Sequence, residues 1–399
     1  MARDDFSENT KKRLASRAGY LCSICNNITV GPSEESVSSV NLTGVAAHIS
    51  AASSGPGARR YDSSLTSEER SSIENGIWLC NTHADLIDGD EKDFTTPYLK
   101  LIKKNHEEKV KLKHLGINTD KGVITKIDFS NFGPVTTPLS LEFADNNIVL
   151  GNNSIGKTLT LELLSSLNDR KKIKRWVNSS RPKINSYYNI HYFKNQPEKF
   201  SISIDSDNNI DYAYNDSPIP FLISKLSIFH IDISYWRFVN SLSEKKRENL
   251  SVLDKMSKYF KLKKREFIGL IGTIMRNKKF FCNDISIDYK DEELLAKMDP
   301  TSHAFPFSAL SGGEQDRVLL EVTLKIADYY SKYNSTLLLI ENTSFSTLDS
   351  TGINRLFEII ENEKFAFQFI FSTVGDRNYN YRNFKVLHLK KSSKGTIIT

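Results

Sequence analysis

Residues 146–158 read NNIVLGNNSIGKT: an apolar run ending at Leu150, then Gly151 to Thr158 in the pattern G-x4-G-K-[ST]. Strand, glycine-bounded loop and helix in that order are what a phosphate loop needs, because successive backbone amides and a helix N-terminus converge there on an anion. Lys157 is expected to neutralise the β- and γ-phosphates of ATP and Thr158 to hold Mg2+, with Asn152, Asn153, Ser154 and Gly156 wrapping the phosphates. Around this stretch, β-rich runs at 123–135, 139–150, 337–340 and 367–371 alternate with helical stretches after Lys157, from Ser243 to about Ile274, and after Ser311. That alternation predicts an α/β P-loop domain over 122–399 with a short helical insertion at about 243–275. Leu250, Leu253, Met256 and Tyr259 share one face of the insertion, a stripe for core or dimer packing.

The chain has 399 residues, room for two or three domains, with 39% hydrophobic and 26% charged residues, ordinary for a soluble globular protein. No run approaches the roughly 18 apolar residues of a membrane span, and the polar start lacks a signal-peptide core, so a cytoplasmic protein with no membrane partner is expected. The net charge of +6 is modest and sits in the C-terminal part, in runs such as KKIKR at 171–175; solvated helix faces explain such runs more often than phosphate binding. There is no 20–50 residue repeat and no sustained heptad, which excludes a long coiled-coil arm.

Four cysteines are too few for a disulfide framework, yet Cys22, Cys25 and Cys80 fall in the first quarter of the chain. Cys22-Ser-Ile-Cys25 and Cys80-Asn-Thr-His83 are two knuckles whose soft thiolate and imidazole donors suit tetrahedral Zn2+. A helix at 10–20 leads into the first knuckle, Ser33–Ser72 reads as Ser/Gly/Pro-rich loops, and a helix from Thr96 to about Leu115 precedes a linker at 116–122. Spacing alone leaves open a purely structural zinc module for protein contacts.

Between and beside the knuckles stands GVAAHISAASSGPGARRYDSSLTSEERSSIENGIWLCNTHADLIDGD, residues 44–90. This stretch resembles the HNH endonuclease family in its branch with an Ala-His-Ile strand and an Asn-Gly-Ile-Trp-Leu-Cys turn. The resemblance implies an α+β, zinc-braced ββα-metal (HNH) domain over 1–116 in which His48 is the general base against a phosphodiester, with Mg2+ or Mn2+ at the scissile phosphate. It implies that Asn75 holds hairpin and helix in register or reaches the metal. Ala47 stands where a metal-binding acid often precedes the histidine, and Ala84 where a final histidine is expected. Asp88 or Asp85, on the helix after Cys80, is then the candidate carboxylate, against plain surface solvation; His83 leaving the zinc for the catalytic ion is a further option. Arg59 and Arg60 are candidate phosphate contacts.

LSGGEQDR at 310–317 resembles the signature of ABC-type ATPases, and the opening from Ile124 to Thr158 resembles heads of the SMC and DNA-repair kind. The resemblance implies a homodimer with ATP sandwiched between Ser311, Gly312 and Gly313 of one subunit and the phosphate loop of the other. STLLLIENTSFSTLD at 335–349 takes the place of the Walker B strand and D-loop, with Glu341 where the Mg2+-linked Asp is usual and Asn342 where the catalytic Glu is usual. Val374 stands where a switch histidine is usual, and Gln196, with surface placement as the alternative, is the sole Q-loop candidate. An amide cannot take a proton from water, so ATP is expected to be hydrolysed slowly or not at all. The combination is similar to bacterial anti-phage nuclease and ATPase pairs of the Septu kind. It implies an ATP-regulated, metal-dependent endonuclease on DNA; RNA, including tRNA, is an alternative substrate, and the rival is a non-cutting, DNA-binding scaffold clamp whose zinc module recruits partners.

Overall fold

The computed structural model describes residues 3–117, 119–120, 122–177, 185–220, 226–232, 250–342, 348–375, 379–393 and 395–398. The chain divides into two compact units, Met1–Thr119 with Asn195–Pro197, and Asp120–Lys194 with Glu198–Thr399.

In the first unit, helix α1 (Glu8–Arg17) starts where the Ser7 hydroxyl accepts the Thr10 amide at 3.1 Å. It ends before the expected residue 20 because Gly19 and Tyr20 take φ of 59° and 55°, which turn the chain toward Cys22. Strands β1 (Val30–Pro32) and β2 (Val40–Leu42) form one antiparallel pair, β3 (Gly44–His48) and β4 (Gly76–Cys80) a second. Helix α2 (Ser67–Arg70) lies in the connection between β3 and β4; α3 (Asn81–Gly89) and α4 (Thr96–His114) follow. The segment Ser33–Ser72, read as loops, thus holds β2, β3 and α2. Gly-Val-Ala-Ala-His is too short and too small-sided for strand alternation to register, and only pairing with β4 defines it. β4 is buried on both faces, Ile77 and Leu79 against Cys22, Ile49, Ile87 and Leu99, Trp78 against Phe6, Leu14, Ala15 and Ala18. Two cores this small leave much of the unit's stability to another source.

The second unit opens with β5 (Val123–Ser130), β6 (Leu139–Glu142), β7 (Asn146–Leu150), α5 (Lys157–Ser165) and α6 (Lys171–Val177). Strands β8 (Ser186–Phe193), β9 (Pro197–Ile204), β10 (Ile210–Tyr214), β11 (Ser217–Ile219) and β12 (Leu226–Ile231) follow. Helices α7 (Val252–Tyr259) and α8 (Lys264–Ile274) lead to β13 (Asp284–Asp288), β14 (Glu293–Lys297) and β15 (Phe305–Pro306). The chain closes with α9 (Gly312–Ser331), β16 (Ser335–Glu341), α10 (Ser350–Asn362), β17 (Gln368–Thr373), β18 (Lys385–Ser392) and β19 (Gly395–Ile398). Among the described residues one sheet runs β12-β16-β17-β7-β18-β19, parallel except for the last hairpin, and an antiparallel sheet runs β11-β10-β9-β8-β5-β6.

Alternate residues of the parallel sheet enter different cores. Ile148, Leu150, Leu338, Ile340, Phe369 and Phe371 pack with the helical side, while Val149, Leu337, Leu339 and Ile370 pack with α5 and the antiparallel sheet. The buried Gln368 joins the sheets, accepting Ile124 N–H at 2.9 Å and donating to Ile124 and Ala144 carbonyls at 2.8 Å. The insertion is two helices, broken where Lys261 takes φ 55°; residues 243–249 of the expected span lie outside the described residues. Leu253 and Met256 of the stripe are buried in the helical core. No described helix is long and apolar enough to cross a membrane.

Candidate functional site

Strand β7 lies between β17 and β18, and the register sets Leu150 opposite Thr373 and Ser372 opposite Glu341, all at the carboxyl edge of the sheet. In α/β sheets of this kind ligands bind at that edge. The loop from Gly151 to Gly156 leaves β7 there. Gly156 caps α5 at φ 108°, and at Gly151 (φ 153°) a Cβ would lie 2.5 Å from the Leu389 carbonyl oxygen, so both positions require glycine. Asn152, Asn153 and Ser154 are exposed, and the buried Lys157 donates to the Gly151 and Asn152 carbonyls at 2.7 Å each. Burial holds its ammonium below the usual lysine range, an effect the Glu341 carboxylate opposes. A cradle of backbone and one cation this close fits triphosphate oxygens.

Thr158 donates its hydroxyl to Glu341 at 3.0 Å, so the two residues expected at Mg2+ are adjacent although 183 positions apart. Asn342 is buried; its amide donates to Thr373 Oγ1 at 2.6 Å and Tyr379 Oη at 3.0 Å, and its Oδ1 has no partner among the described residues. A cavity of about 550 Å3 collects Asn153, Ser154, Lys157 and Thr158 together with Ser372 and Trp176. Trp176, on α6, has no motif around it and escaped the sequence reading. Ser311, the N-cap of α9, donates through N and Oγ to Glu314 at 2.9 and 2.8 Å. Ser311 and Gly312 are exposed, and neither they nor Gly313 line that cavity. The D-loop expectation falls largely on 343–347, outside the described residues.

In the first unit, one ligand atom from each of Cys22, Cys25, Cys80 and His83 lies within 4.8 Å of the others, and Cys80 Sγ is 3.1 Å from His83 Nδ1. Asn26, at φ 59°, turns the first knuckle; Cys80 caps α3 and puts His83 in its first turn. Burial works to raise the Cys22 thiol, but backbone N–H groups of Cys25, Cys80 and Ile24 outweigh it and hold the thiol below its ordinary value. Three sulfurs and an imidazole at this separation are consistent with Zn2+.

His48 ends β3 opposite Gly76, while Cys80 pairs with Gly44 at its start, four residues or about 13 Å along the strand. A cavity of about 410 Å3 is lined by His48, Arg59, Asn81, Ala84, Asp85 and Asp88 among others, and His83 is not in its wall. His83 lies with the three cysteines rather than in this wall. The half-buried His48 ring stacks on Phe6 at 3.8 Å and 7°, and its Nε2 is 3.2 Å from the Asp4 carbonyl. Burial keeps its pKa below the ordinary histidine value, with the Asp4 carbonyl opposing.

The buried Asn75 accepts Ser50 N–H at 2.9 Å and donates to the Ser50 and Arg70 carbonyls at 2.8 and 2.9 Å. These bonds tie the turn before β4 to the residues after β3, the register role among the two expected of Asn75. Arg60 corrects another expectation: it is buried and donates to the Ile49 and Ile87 carbonyls and to Asp88 at 2.8, 2.5 and 3.1 Å, so it is not a free phosphate contact. Arg59 is exposed. The Cys/His cluster is the one group of three or more metal-binding side chains among the described residues; His48, Asp85 and Asp88 share a cavity without forming a second.

No family model matches the chain, and no curated protein matches it. Among solved structures it is similar to an Smc head bound to the C-winged helix domain of ScpA, with 16% identity over 69% of this chain and 96% of that one and a TM-score of 0.49. It is also similar to an Smc head with an extended coiled coil from Pyrococcus furiosus, at 15% identity, 70% and 96% coverage and a TM-score of 0.49. The recombination mediator RecF with ATP aligns at 12% identity, 71% and 99% coverage and a TM-score of 0.44.

Proposed function

We propose that this chain is an ATP-binding head of the ABC/SMC kind fused to an HNH-type, metal-dependent endonuclease, and that nucleotide occupancy of a head dimer controls the cutting of DNA. The observation that carries the nuclease half is the cavity shared by His48, Asp85, Asp88 and the exposed Arg59 on a strand hairpin and helix, with the zinc cluster at the far end of the hairpin. His48, kept neutral by burial, takes the proton of the attacking water; Arg59 meets phosphate. A divalent ion, when bound, would stabilise charge on the scissile phosphate. The glycine cradle, Lys157 and the Thr158–Glu341 contact support the nucleotide half, and Asn342 makes the head one that holds ATP longer than it turns it over. A setting in anti-phage defence belongs to the same proposal and rests on the motif combination.

The full chain, supplied with Mg2+ or Mn2+ and with or without ATP, is to be tested on duplex DNA, single-stranded DNA and RNA beside His48→Ala and Lys157→Ala. Cutting lost in His48→Ala, and its ATP response lost in Lys157→Ala, are the expected results. Equal cutting by wild type and His48→Ala, or none by either, sinks the enzyme reading. A second reading, a non-cutting clamp whose zinc module recruits partners, is favoured by the absence of a second three-donor cluster among the described residues.

A further inference from the structure

His230 belongs to none of the motifs. It lies on β12, paired in register with Leu339 of β16, two residues before Glu341. The side chains of His230 and Glu341 are 5% and 8% exposed, and His230 Nε2 is 2.9 Å from Glu341 Oε1. A carboxylate only accepts, so Nε2 carries the proton between them. The other oxygen, Oε2, accepts from Thr158 at 3.0 Å, and on the far side of the ring Nδ1 is 3.2 Å from Ser165 Oγ. Thr158 and Ser165 are seven residues apart on α5, two turns of one helix. The helix that opens at the phosphate loop therefore holds Glu341 twice, directly through Thr158 and indirectly through Ser165 and His230.

Glu341 has one more methylene and one more rotor than an Asp in its place, and an acid free to swing would present its oxygens at Thr158 only part of the time. We infer that His230 is a positioning residue that fixes the Glu341 carboxylate beside Thr158 for the Mg2+ that accompanies ATP, an inference that rests on the nucleotide-site reading above. Each carboxylate oxygen keeps a lone pair beyond its bond to Thr158 or His230, so fixing the group leaves it able to meet a cation. Donors to the far side of a metal-binding group orient it in this way, and their loss typically lowers metal affinity by roughly 10- to 100-fold.

The test measures, by calorimetry on the full chain, affinity for a non-hydrolysable ATP analogue in Mg2+-free buffer without chelator and again with excess Mg2+. The gain from Mg2+ is the readout. It is expected to fall by roughly 10- to 100-fold in His230→Leu, which has no donor, and to return largely in His230→Gln, whose amide can reach Glu341. Affinity without Mg2+ stays as in wild type. His230→Asn, too short to reach Glu341, replaces the Leu variant should that one not fold. A gain that survives in the variants lacking the donor, or a parallel fall with and without Mg2+, overturns the inference while the nucleotide reading stands. No binding by wild type in either buffer would remove both.

Discussion

If this chain is the slow, ATP-holding head proposed above, replacing Asn342 by Glu should raise its rate of ATP hydrolysis. The side chain sits at the end of β16 with its amide engaged by Thr373 and Tyr379 at 2.6 and 3.0 Å and its Oδ1 unpartnered among the described residues. It has no basic atom. A carboxylate there can accept from both hydroxyls and take a proton from water, and a general base contributes about 10²- to 10⁴-fold. At 1.36 kcal/mol per decade that is about 2.7 to 5.4 kcal/mol off the barrier. The added methylene in a packed site costs about 1–3 kcal/mol. The carboxylate, buried beside Glu341, adds a desolvation cost in the same direction, so the melting temperature should fall. Single-turnover phosphate release from labelled ATP measures the effect, with Asn342→Gln as the control of equal length and no base. Wild type already turning over at an ordinary enzymatic rate, or Asn342→Glu still bound to ATP yet no faster than wild type, would refute the reasoning.

Metal analysis should find one zinc per chain, and Cys25→Ser or chelation should unfold the first unit, since structural zinc contributes about 10–16 kcal/mol of apparent folding free energy; limited proteolysis reads this as loss of residues before about 120. Burial depresses the His48 pKa, so its neutral form persists to lower pH and the acid limb of kcat/KM should fall below the ordinary value of about 6.5; a limb above it argues against His48 as the base. The sign carries over to stability: the unfolded chain protonates His48 first, so acidification below about pH 6.5 should cost wild type more stability than His48→Ala in urea melts. Asn75→Ala orphans three backbone groups and should cost about 1–3 kcal/mol or more with zinc retained; wild-type melting with cutting abolished would instead make Asn75 a metal contact.

What could be read in advance was local. The phosphate loop needs eight consecutive residues and a strand before them, and each zinc knuckle needs two donors three apart, so spacing alone brings the atoms near one another. The loop reading of Ser33–Ser72 failed because β3 is defined by its partner β4 rather than by its own pattern. Arg60 and Asn75 looked like exposed or catalytic polar residues, and which groups they serve depended on carbonyls 11 to 27 residues away. His230 stands in unremarked strand sequence, and Trp176 follows the basic run at 171–175 that read as a solvated helix face.

The sequence by itself offered a parts list: a glycine-bounded loop of the phosphate-binding pattern, a Glu341–Asn342 pair, a three-cysteine, one-histidine donor set, and His48 in an Ala-His-Ile stretch. Tertiary structure alone decided how these side chains are occupied. Register across the parallel sheet aligned Leu150, Glu341 and Thr373 at one edge, which put Glu341 against Thr158 and against His230 from 111 residues upstream. The β3–β4 register set Cys80 of the Cys/His cluster and His48 at opposite ends of one hairpin. Hydrogen bonds reach about 3 Å while the chain separations span tens to hundreds of residues, so only folding could choose the partners.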